Sequence, residues 1–390
     1  MVRRRTLLQL FAGMAVSGLP HVAAQTRTPR VVVAGAGIVG ANIAYQLARR
    51  GAAVTVLDRE SGATGATANS FAWINATFSK QPRAYYELNR LGLQAWRRLE
   101  EDMKLPVRWG GSLEWYSEQA QADELRKGVR SHQSWGYSVE MVDEGRLRRL
   151  EPNVTFGRVA AAAHAGEEGH VDPVAATQVL LQRAQSHGAV FRQRVTVTGI
   201  DAPGRVRAVQ TNAGDLPADV LVIACGVDTP RLASMAGVNV PLKDSPGVLV
   251  HTTAQRPLLE RVVLAPGAHM KQKPDGRIVT GVGFSAKATN DSSMAAAERF
   301  LRSDAAAVVP ALHDAQVERV TLGYRPLPAD GFPIIGFAPG RRDVYIAVMH
   351  SGVTLSPFIG RAAAVEILDG IDVDPLGPFR QGRFAAEKSR

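Results

Sequence analysis

Four residues near the start of the chain have the types and the spacing that bind a dinucleotide. They are the glycines of Gly35-x-Gly37-x-x-Gly40 and an acid, Asp58, that follows eighteen residues later. The first glycine permits a tight turn, the second lets the backbone approach a pyrophosphate, and the third lets a helix pack closely on a strand. The acid accepts hydrogen bonds from ribose hydroxyls. For Asp58 alone, a surface acid at a strand end is the alternative interpretation.

Two predicted strands and a helix must position these residues. Residues 30–34 (RVVVA) and 53–58 (AVTVLD) are apolar runs typical of strands buried on both faces. Between them, a helix that ends at Arg50 carries Val39, Ile43 and Leu47 on one face. The free N–H groups at the start of this helix are suited to phosphates. The complete strand–helix–strand unit makes the glycine motif specific.

Composition indicates a globular protein and excludes several kinds of site. The 390 residues include 46 Lys+Arg and 36 Asp+Glu, a net charge of +10, and 45% are apolar. A disordered chain is therefore excluded. Because Cys225 is the only cysteine, the chain forms no internal disulfide, Cys-based zinc site or iron–sulfur cluster, and we predict no metal site. The arginines are scattered among acids, which favours a solvated surface over nucleic-acid binding.

The first 24 residues have the pattern of an export signal. Arg3, Arg4 and Arg5 precede an uncharged run over residues 6–20 and the small residues Ala23 and Ala24. The run is shorter than the roughly 20 residues that span a bilayer. Residues 4–9 (RRTLLQ) resemble the twin-arginine signal, with an ordinary secretory leader as the alternative. We expect the twin-arginine machinery to export the protein to the bacterial periplasm. There the protein is either free or associated with the membrane surface.

Nucleotide-type segments recur along the rest of the chain, with helical and antiparallel material between them. This order predicts a mixed α/β fold in which a Rossmann-like nucleotide-binding domain over residues 28–78, 151–240 and 325–375 is interleaved with an antiparallel-sheet substrate domain over 79–150 and 241–324. Asp172 and Pro173 predict a helix start. Further predictions are a strand pair within 109–115, one strand over 190–197, and a final helix over 357–368 that Ser356 caps and Pro357 begins.

Several segments together resemble the FAD-dependent oxidoreductases of the D-amino-acid oxidase, glycine oxidase and sarcosine oxidase family. The resemblance extends over essentially the whole chain after the leader, and it implies FAD where the glycine motif alone leaves NAD open. Besides that motif, the segments are 61–69 (SGATGATAN), 169–173 (GHVDP), 222–226 (VIACG), 323–326 (GYRP), 330–336 (DGFPIIG) and 350–357 (HSGVTLSP).

The resemblance also implies which residues contact FAD. It places the start of the last helix at the N1–C2 edge of the flavin, where the helix dipole stabilises negative charge. No cysteine lies where the sarcosine-oxidase branch tethers its flavin, so non-covalent FAD is favoured over a link through His350. The predicted FAD-binding residues are Gly35, Gly37, Ile38, Gly40, Asp58, Arg59, Gly65, Ala66, Thr67, Asn69, Val195, Cys225, Gly226, Gly352, Val353, Thr354 and Leu355.

Arg325 is the principal candidate for the substrate. A guanidinium holds a carboxylate through two parallel hydrogen bonds, and the family's glycine and D-amino-acid oxidases bind the substrate carboxylate at this position. The alternative is an arginine bonded to nearby carbonyls or an acid. The resemblance places His269 near the position where relatives have a tyrosine that faces the substrate. The alternative is a solvated histidine on a strand. Tyr324 and Trp73 are further candidates, and Lys287 is a candidate for the oxygen-activating lysine of the sarcosine-oxidase branch.

Together these features predict an exported enzyme that oxidises the C–N bond of an amino acid or related amine to an imine. The flavin accepts the hydride, and the protein orients the substrate and binds its carboxylate. Electrons then pass to oxygen or to a membrane quinone. Two alternatives are oxidation of another small substrate such as a hydroxy acid, and a non-catalytic flavin-binding export or assembly factor. Intact Arg325 and a substrate-sized cavity over the flavin would favour an enzyme, whereas a blocked flavin face would favour the binding factor.

Overall fold

The computed structural model describes residues 28–77, 80–281 and 292–384, so the predictions for residues 1–24 and Lys287 lie outside it. The helices are Ile38–Arg49 (α1), Arg83–Met103 (α2), Gln119–Ser134 (α3), Glu144–Leu150 (α4), Pro173–Ser186 (α5), Thr229–Met235 (α6), Met294–Phe300 (α7), Ala306–Val308 (α8) and Gly352–Asp369 (α9). The strands are Arg30–Ala34 (β1), Ala53–Asp58 (β2), Trp73–Ile74 (β3), Val107–Trp109 (β4), Ser112–Tyr116 (β5), Glu140–Met141 (β6), Ala161–Ala165 (β7), Gly169–Val171 (β8), Val190–Gln193 (β9), Val197–Asp201 (β10), Ala208–Thr211 (β11), Leu216–Pro217 (β12), Val220–Ile223 (β13), Leu242–Lys243 (β14), Pro246–Ala254 (β15), Val262–Ala265 (β16), Ala268–Gln272 (β17), Arg277–Gly281 (β18), Val317–Tyr324 (β19), Leu327–Pro328 (β20), Ile334–Ala338 (β21) and Arg341–Val348 (β22).

A six-stranded sheet with the order β21-β22-β13-β1-β2-β9 collects strands from three separated parts of the chain. Its strands run parallel except for the edge strand β21. In the register of the central strands, Val33 pairs with Val56 and with Val222, and all three are buried. The predicted Rossmann-like sheet within a mixed α/β fold is thus confirmed. The carboxyl ends of its parallel strands define the edge where such sheets bind ligands.

Helices α1, α5 and α9 cover one face of this sheet, and α6 with the small sheet β10-β11-β12 covers the other. Ile43 and Leu47 of α1 and Ile359 of α9 are fully buried in the first of these layers. A Cβ added to Gly360 would lie 2.8 Å from the backbone oxygen of Asn42, so this glycine allows α9 to approach α1. This packing fixes the start of α9 relative to the glycine motif.

A second, eight-stranded sheet has the order β19-β15-β18-β17-β16-β5-β7-β6. Its pairs are antiparallel except β5 with β16. Side chains alternate across it: Met270 of β17 lies in a core with Trp115 and Leu312, while His269 and Lys271 project from the opposite face. That opposite face contributes to a cavity described below.

Three sequence predictions are wrong in detail. Residues 109–115 do not form a strand pair, because β4 pairs with β8 whereas β5 pairs with β7 and β16. The chain changes sheets at Gly110 and Gly111, the latter with φ of +88°. The strand expected over 190–197 divides into β9 and β10 around Arg194, whose φ is +57°.

The third correction concerns α9, which begins at Gly352, one turn before the predicted start. Ser356 is therefore not its cap, and Pro357 lies inside the helix. Proline cannot donate a hydrogen bond to the carbonyl four residues earlier, which is that of Val353. The indole Nε1 of Trp96 donates to this oxygen instead at 2.7 Å, and Ser356 Oγ donates to it at 3.2 Å. These replacement donors explain how the helix continues through the proline.

Asp172 caps α5 as predicted, since its carboxylate accepts from the N–H groups of Val174 at 3.1 Å and Ala175 at 3.0 Å. Across the described ranges, the helices are too short or too polar to cross a bilayer.

Candidate active site

The glycine motif forms the turn between β1 and α1. Gly35 has φ of +103°, and a Cβ added to it would lie 2.4 Å from the backbone oxygen of Ala224. A Cβ on Gly40 would lie 1.9 Å from the backbone oxygen of Gly35. These two glycines are required by the close packing of the protein on itself.

The second glycine of the motif faces the loop that follows β2. Thr67 of this loop accepts a hydrogen bond from the N–H of Ile38 through Oγ1 at 3.0 Å. A Cβ on Gly37 would lie 3.1 Å from the same oxygen, and apart from its neighbours along the chain no other described atom lies within 4 Å of it. Gly37 therefore keeps clear a space bounded by α1 and the loop.

Asp58 ends β2 beside this turn. One carboxylate oxygen accepts from the N–H of Ala36 and the other from the N–H of Glu60, each at 2.8 Å. A carboxylate has about four acceptor positions, so capacity remains for the hydroxyls of a ribose. Arg59 next to it forms an ion pair with Asp228 on the opposite rim.

These groups line a cavity of about 390 Å³ at the carboxyl ends of the parallel strands. Its volume is typical of ligand sites, which span roughly 300–1,000 Å³. Thirteen predicted FAD-binding residues line it: Gly35, Gly37, Ile38, Asp58, Arg59, Gly65, Ala66, Thr67, Val195, Cys225, Gly226, Gly352 and Val353. We call it the nucleotide cavity.

The other four predicted residues lie elsewhere. Asn69 and Thr354 line a second cavity. Gly40 lines neither and serves packing, as described above. Leu355 also lines neither, since its side chain is fully buried and its N–H donates to the backbone oxygen of Ser351 at 3.0 Å.

Cys225 is half-buried in the wall of the nucleotide cavity. Its Sγ donates to the backbone oxygen of Ala34 at 3.1 Å. Burial raises the pKa of the thiol to about 12, so Cys225 stays protonated and unreactive at neutral pH.

The second cavity, of about 370 Å³, adjoins the nucleotide cavity, and we call it the substrate cavity. The start of α9 lies where the two cavities meet. The first N–H groups of a helix have no acceptor within it, and this end carries about half a positive charge. The residues that line both cavities are Ala66, Ser70, Pro326, His350 and Val353.

The residues present fit FAD. Asp58 offers free acceptor capacity at one end of the nucleotide cavity, the start of α1 and the loop around Thr67 offer donors and space in the middle, and the start of α9 offers positive potential at the other end. Adenosine ribose, pyrophosphate and an electron-accepting ring need these features in this order.

Arg325 lies in the wall of the substrate cavity after the end of β19. Its Nη1 donates to the backbone oxygen of Pro246, and burial lowers the pKa of its guanidinium. A Cβ on Gly247 would lie 2.5 Å from Nη2, so the guanidinium rests on this glycine. The carbonyl contact agrees with the alternative interpretation of Arg325, but a guanidinium has five donors, and the side chain also faces the cavity.

The two histidines of the substrate cavity are neutral at physiological pH. Burial lowers the pKa of His269, on β17, to about 4. Burial, followed by the positive charges of Lys80 and Arg325, lowers the pKa of His350 to about 3. Tyr324 also lines the cavity, with 47% of its side chain exposed.

The sequence did not predict a role for four polar residues that line the substrate cavity: Lys80, Tyr85, Ser351 and Asn75. Lys80 Nζ donates to Ser351 Oγ at 2.7 Å, and the Tyr85 hydroxyl lies 2.7 Å from the same oxygen. Asn75 Oδ1 is buried without a hydrogen-bond partner in the described structure. The position of Ser351 before a glycine and an apolar helix is a signal for this site, whereas nothing local marks Lys80.

Fold and cavities together define an α/β oxidoreductase with a dinucleotide site that opens onto a substrate site. The profile of the family DAO, FAD dependent oxidoreductase, matches residues 30–365, and the chain belongs to this family of FAD-dependent enzymes.

Among the described residues, no cluster of three or more His, Cys, Asp or Glu side chains is arranged to hold a metal ion.

Individual relatives match over nearly their full length. An opine oxidase subunit from Rhizobium meliloti is 26% identical over 370 residues, which cover 92% of this chain and 98% of the relative. The crystal structure of glycine oxidase from Geobacillus kaustophilus superimposes with a TM-score of 0.83 at 25% identity, covering 91% and 99%. L-proline dehydrogenase from P. horikoshii, at 23% identity and 93% and 99% coverage, shares the fold with a TM-score of 0.85.

Proposed function

We propose that this enzyme oxidises the C–N bond of an α-amino acid or a related amine to an imine, which water hydrolyses. The names of the relatives, opine oxidase and glycine oxidase, support this reaction class. The observation that carries it is Arg325 in a cavity that adjoins the FAD site, where the described lining residues include no Asp or Glu. A substrate carboxylate supplies the negative charge that this cavity lacks.

The side chains divide the work of binding and orientation. Arg325 holds the carboxylate, and Asn75 Oδ1, which has no hydrogen-bond partner among the described residues, accepts an N–H of the substrate amine. FAD, when bound, accepts the hydride that leaves the α-carbon. Because His269 and His350 are neutral, they add no cation beside the amine, which reacts in its neutral form. Orientation rather than a strong base is the contribution of the protein.

The test is the effect of Arg325→Ala on paired substrates. Charge-assisted bidentate bonds contribute roughly 2–4 kcal/mol, so kcat/KM for amino acids should fall roughly 30- to 1,000-fold. Arg325→Lys keeps the charge but loses the planar guanidinium, so its kcat/KM should lie between those of Arg325→Ala and wild type. The loss should shrink for the matching amine that lacks a carboxylate. Arg319→Ala, at an exposed arginine on β19 before Arg325, is the control.

A substrate panel distinguishes the alternatives. Purified enzyme is mixed without air with D- and L-amino acids, glycine, N-methyl amino acids and matching hydroxy acids, and flavin bleaching is recorded. Bleaching by hydroxy acids alone would replace the proposal with hydroxy-acid oxidation, and no bleaching by any of them would favour a flavin-binding factor. Peroxide formed on admission of air identifies oxygen as acceptor, whereas its absence points to a quinone.

We further propose that FAD is bound non-covalently and that the protein is exported by the twin-arginine route, which carries proteins already folded around a cofactor. The motivation is the Arg4-Arg5 pair before an uncharged run in a chain that binds FAD. Cell fractionation of Arg4→Lys/Arg5→Lys should find flavin-loaded protein retained in the cytoplasm. Normal export of this variant would favour the general secretory route, and flavin that stays attached after acid precipitation would show a covalent link.

A further inference from the structure

A buried ammonium group lies in the substrate cavity in addition to Arg325. Lys80 is 6% exposed, and its Nζ lies 5.0 Å from the centroid of the Tyr85 ring and 2.7 Å from Ser351 Oγ. Tyr85 and Ser351 are also buried. We call these three residues the Lys80 cluster, and all of them line the cavity.

The charge of Lys80 is not balanced by the protein. Ser351 Oγ is the one hydrogen-bond acceptor of its ammonium, and no carboxylate oxygen lies within 4.0 Å, across residues 28–77, 80–281 and 292–384. An ammonium has three donors, and a buried charge without a partner is costly. Donors therefore remain for an anion that the protein itself does not supply.

Two buried carboxylates are bonded within the protein, and the buried ammonium of Lys271, which lines neither cavity, donates to the backbone oxygen of Val171 at 3.1 Å. The carboxylate of Glu168 accepts from Ser112 Oγ at 2.7 Å and Thr77 Oγ1 at 2.8 Å. The carboxylate of Glu366 accepts from the Tyr345 hydroxyl at 2.8 Å and pairs with Arg380. Such charges stabilise the fold, whereas the Lys80 ammonium faces a cavity.

Two cationic side chains, Lys80 and Arg325, thus line one cavity whose described lining residues include no Asp or Glu. Lys80, Arg325 and His350 all line this cavity, so the two cations lie around the same space. One carboxylate of a substrate neutralises Arg325 only. A second carboxylate is needed to neutralise Lys80.

We propose that the Lys80 cluster is a second carboxylate subsite, and that the preferred substrates are secondary amines with two carboxylates, one bound by Arg325 and the other, on the nitrogen substituent, by Lys80. This rests on the proposed function. Oxidation removes a hydride from the α-carbon and a proton from the nitrogen, which together reduce FAD to FADH2. Water then cleaves the resulting imine to an oxo acid and a primary amino acid.

Binding of unreactive acids to the holoenzyme tests the subsite without turnover. Glutarate and butyrate have carbon chains of similar length, but glutarate has two carboxylates and butyrate has one. Each acid is titrated into the holoenzyme while the flavin absorbance is recorded. Wild type should bind glutarate roughly 10- to 100-fold more tightly than butyrate, and Lys80→Met should abolish this difference. Lys127→Met, at a side chain that is 71% exposed, is the control and should retain it. Equal binding of the two acids by wild type would overturn the subsite.

Turnover separates this inference from the proposed function. Lys80→Met should lower kcat/KM for iminodiacetate roughly 10- to 100-fold but that for N-ethylglycine less than about threefold. Lys80→Gln, a polar replacement, should behave in the same way if removal of the charge is the cause. Equal losses for both substrates, at unchanged FAD content, would make Lys80 structural and overturn the inference alone. Failure of wild type to oxidise any amine would instead overturn the proposed function.

Discussion

The nucleotide cavity and the substrate cavity adjoin each other but are built in different ways. The nucleotide cavity presents backbone N–H groups, glycines and small side chains, and about half of its lining residues come from two short stretches, residues 34–39 and 57–70. The substrate cavity presents the side chains of Arg325, Lys80 and two histidines from distant parts of the chain. A constant group such as a pyrophosphate is bound through the backbone, whereas a variable substrate is selected by side chains that evolution can exchange.

This difference determines which changes are harmful. In the nucleotide cavity, an added side chain occupies the space of the ligand. In the substrate cavity, the loss of a side chain removes a specific charge. The start of α9 belongs to both cavities, so a change there should affect both.

The largest effect, on FAD affinity, is expected from a side chain added to the wall of the nucleotide cavity. Gly37→Val should weaken FAD binding more than about 100-fold, because the new side chain fills the space kept clear between α1 and Thr67. The variant should still fold, since Gly37 has an ordinary φ of −76°. FAD affinity is measured by titration of the apoprotein with flavin fluorescence, and folding by circular dichroism.

Two other glycines sharpen this prediction. Gly35→Val should prevent folding, because its Cβ would clash with the backbone of Ala224. Gly128→Ala, in α3 with no protein atom near its Cβ among the described residues, should leave FAD affinity unchanged. If Gly37→Val bound FAD normally, the pyrophosphate would not lie where the glycine motif predicts.

The nucleotide cavity could be predicted from the sequence far better than the substrate cavity. The strand–helix–strand unit is local in the chain, so the glycines, Asp58 and the capping of α5 by Asp172 are visible as spacing. The start of α9 was misplaced because Trp96, more than 250 residues away, supplies the hydrogen bond that Pro357 cannot. Lys80 was missed for a similar reason, since only the fold brings it to Ser351.

The region shared by the two cavities gives the second prediction. Trp96→Phe should reduce the free energy of unfolding by about 2 kcal/mol, because the carbonyl of Val353 loses the shorter of its two side-chain donors and the fully buried indole is replaced by a smaller ring. FAD affinity and kcat/KM should both fall several-fold, since this carbonyl belongs to the first turn of α9. Urea denaturation and flavin titration measure the two effects.

Trp115→Phe is the matched control for Trp96→Phe. Trp115 Nε1 donates to the backbone oxygen of Phe156 at 3.1 Å in the core of the second sheet, away from both cavities. Its replacement should destabilise the protein without a change in FAD affinity. If both variants changed stability and FAD affinity alike, the start of α9 would have no special part in joining the cavities.

The smallest effect concerns pH and the substrate cavity. Burial lowers the pKa of His269 to about 4, from about 6.5 in an unfolded chain. Between these values the unfolded state binds more protons, so the contribution of His269 to stability is complete above pH 6.5 and is lost as the pH falls towards 4. When the pH falls from 7.5 to 5, the free energy of unfolding should therefore decrease in both proteins, but by about 1–2 kcal/mol less in His269→Gln than in wild type. This difference already allows for the partial exposure of the His269 ring, which weakens the effect. Urea midpoints at the two pH values give the comparison, with His313→Gln, an exposed histidine, expected to follow wild type. If His269→Gln also followed wild type, the histidine would be solvated, and this wall of the substrate cavity would be open to water rather than closed around a substrate.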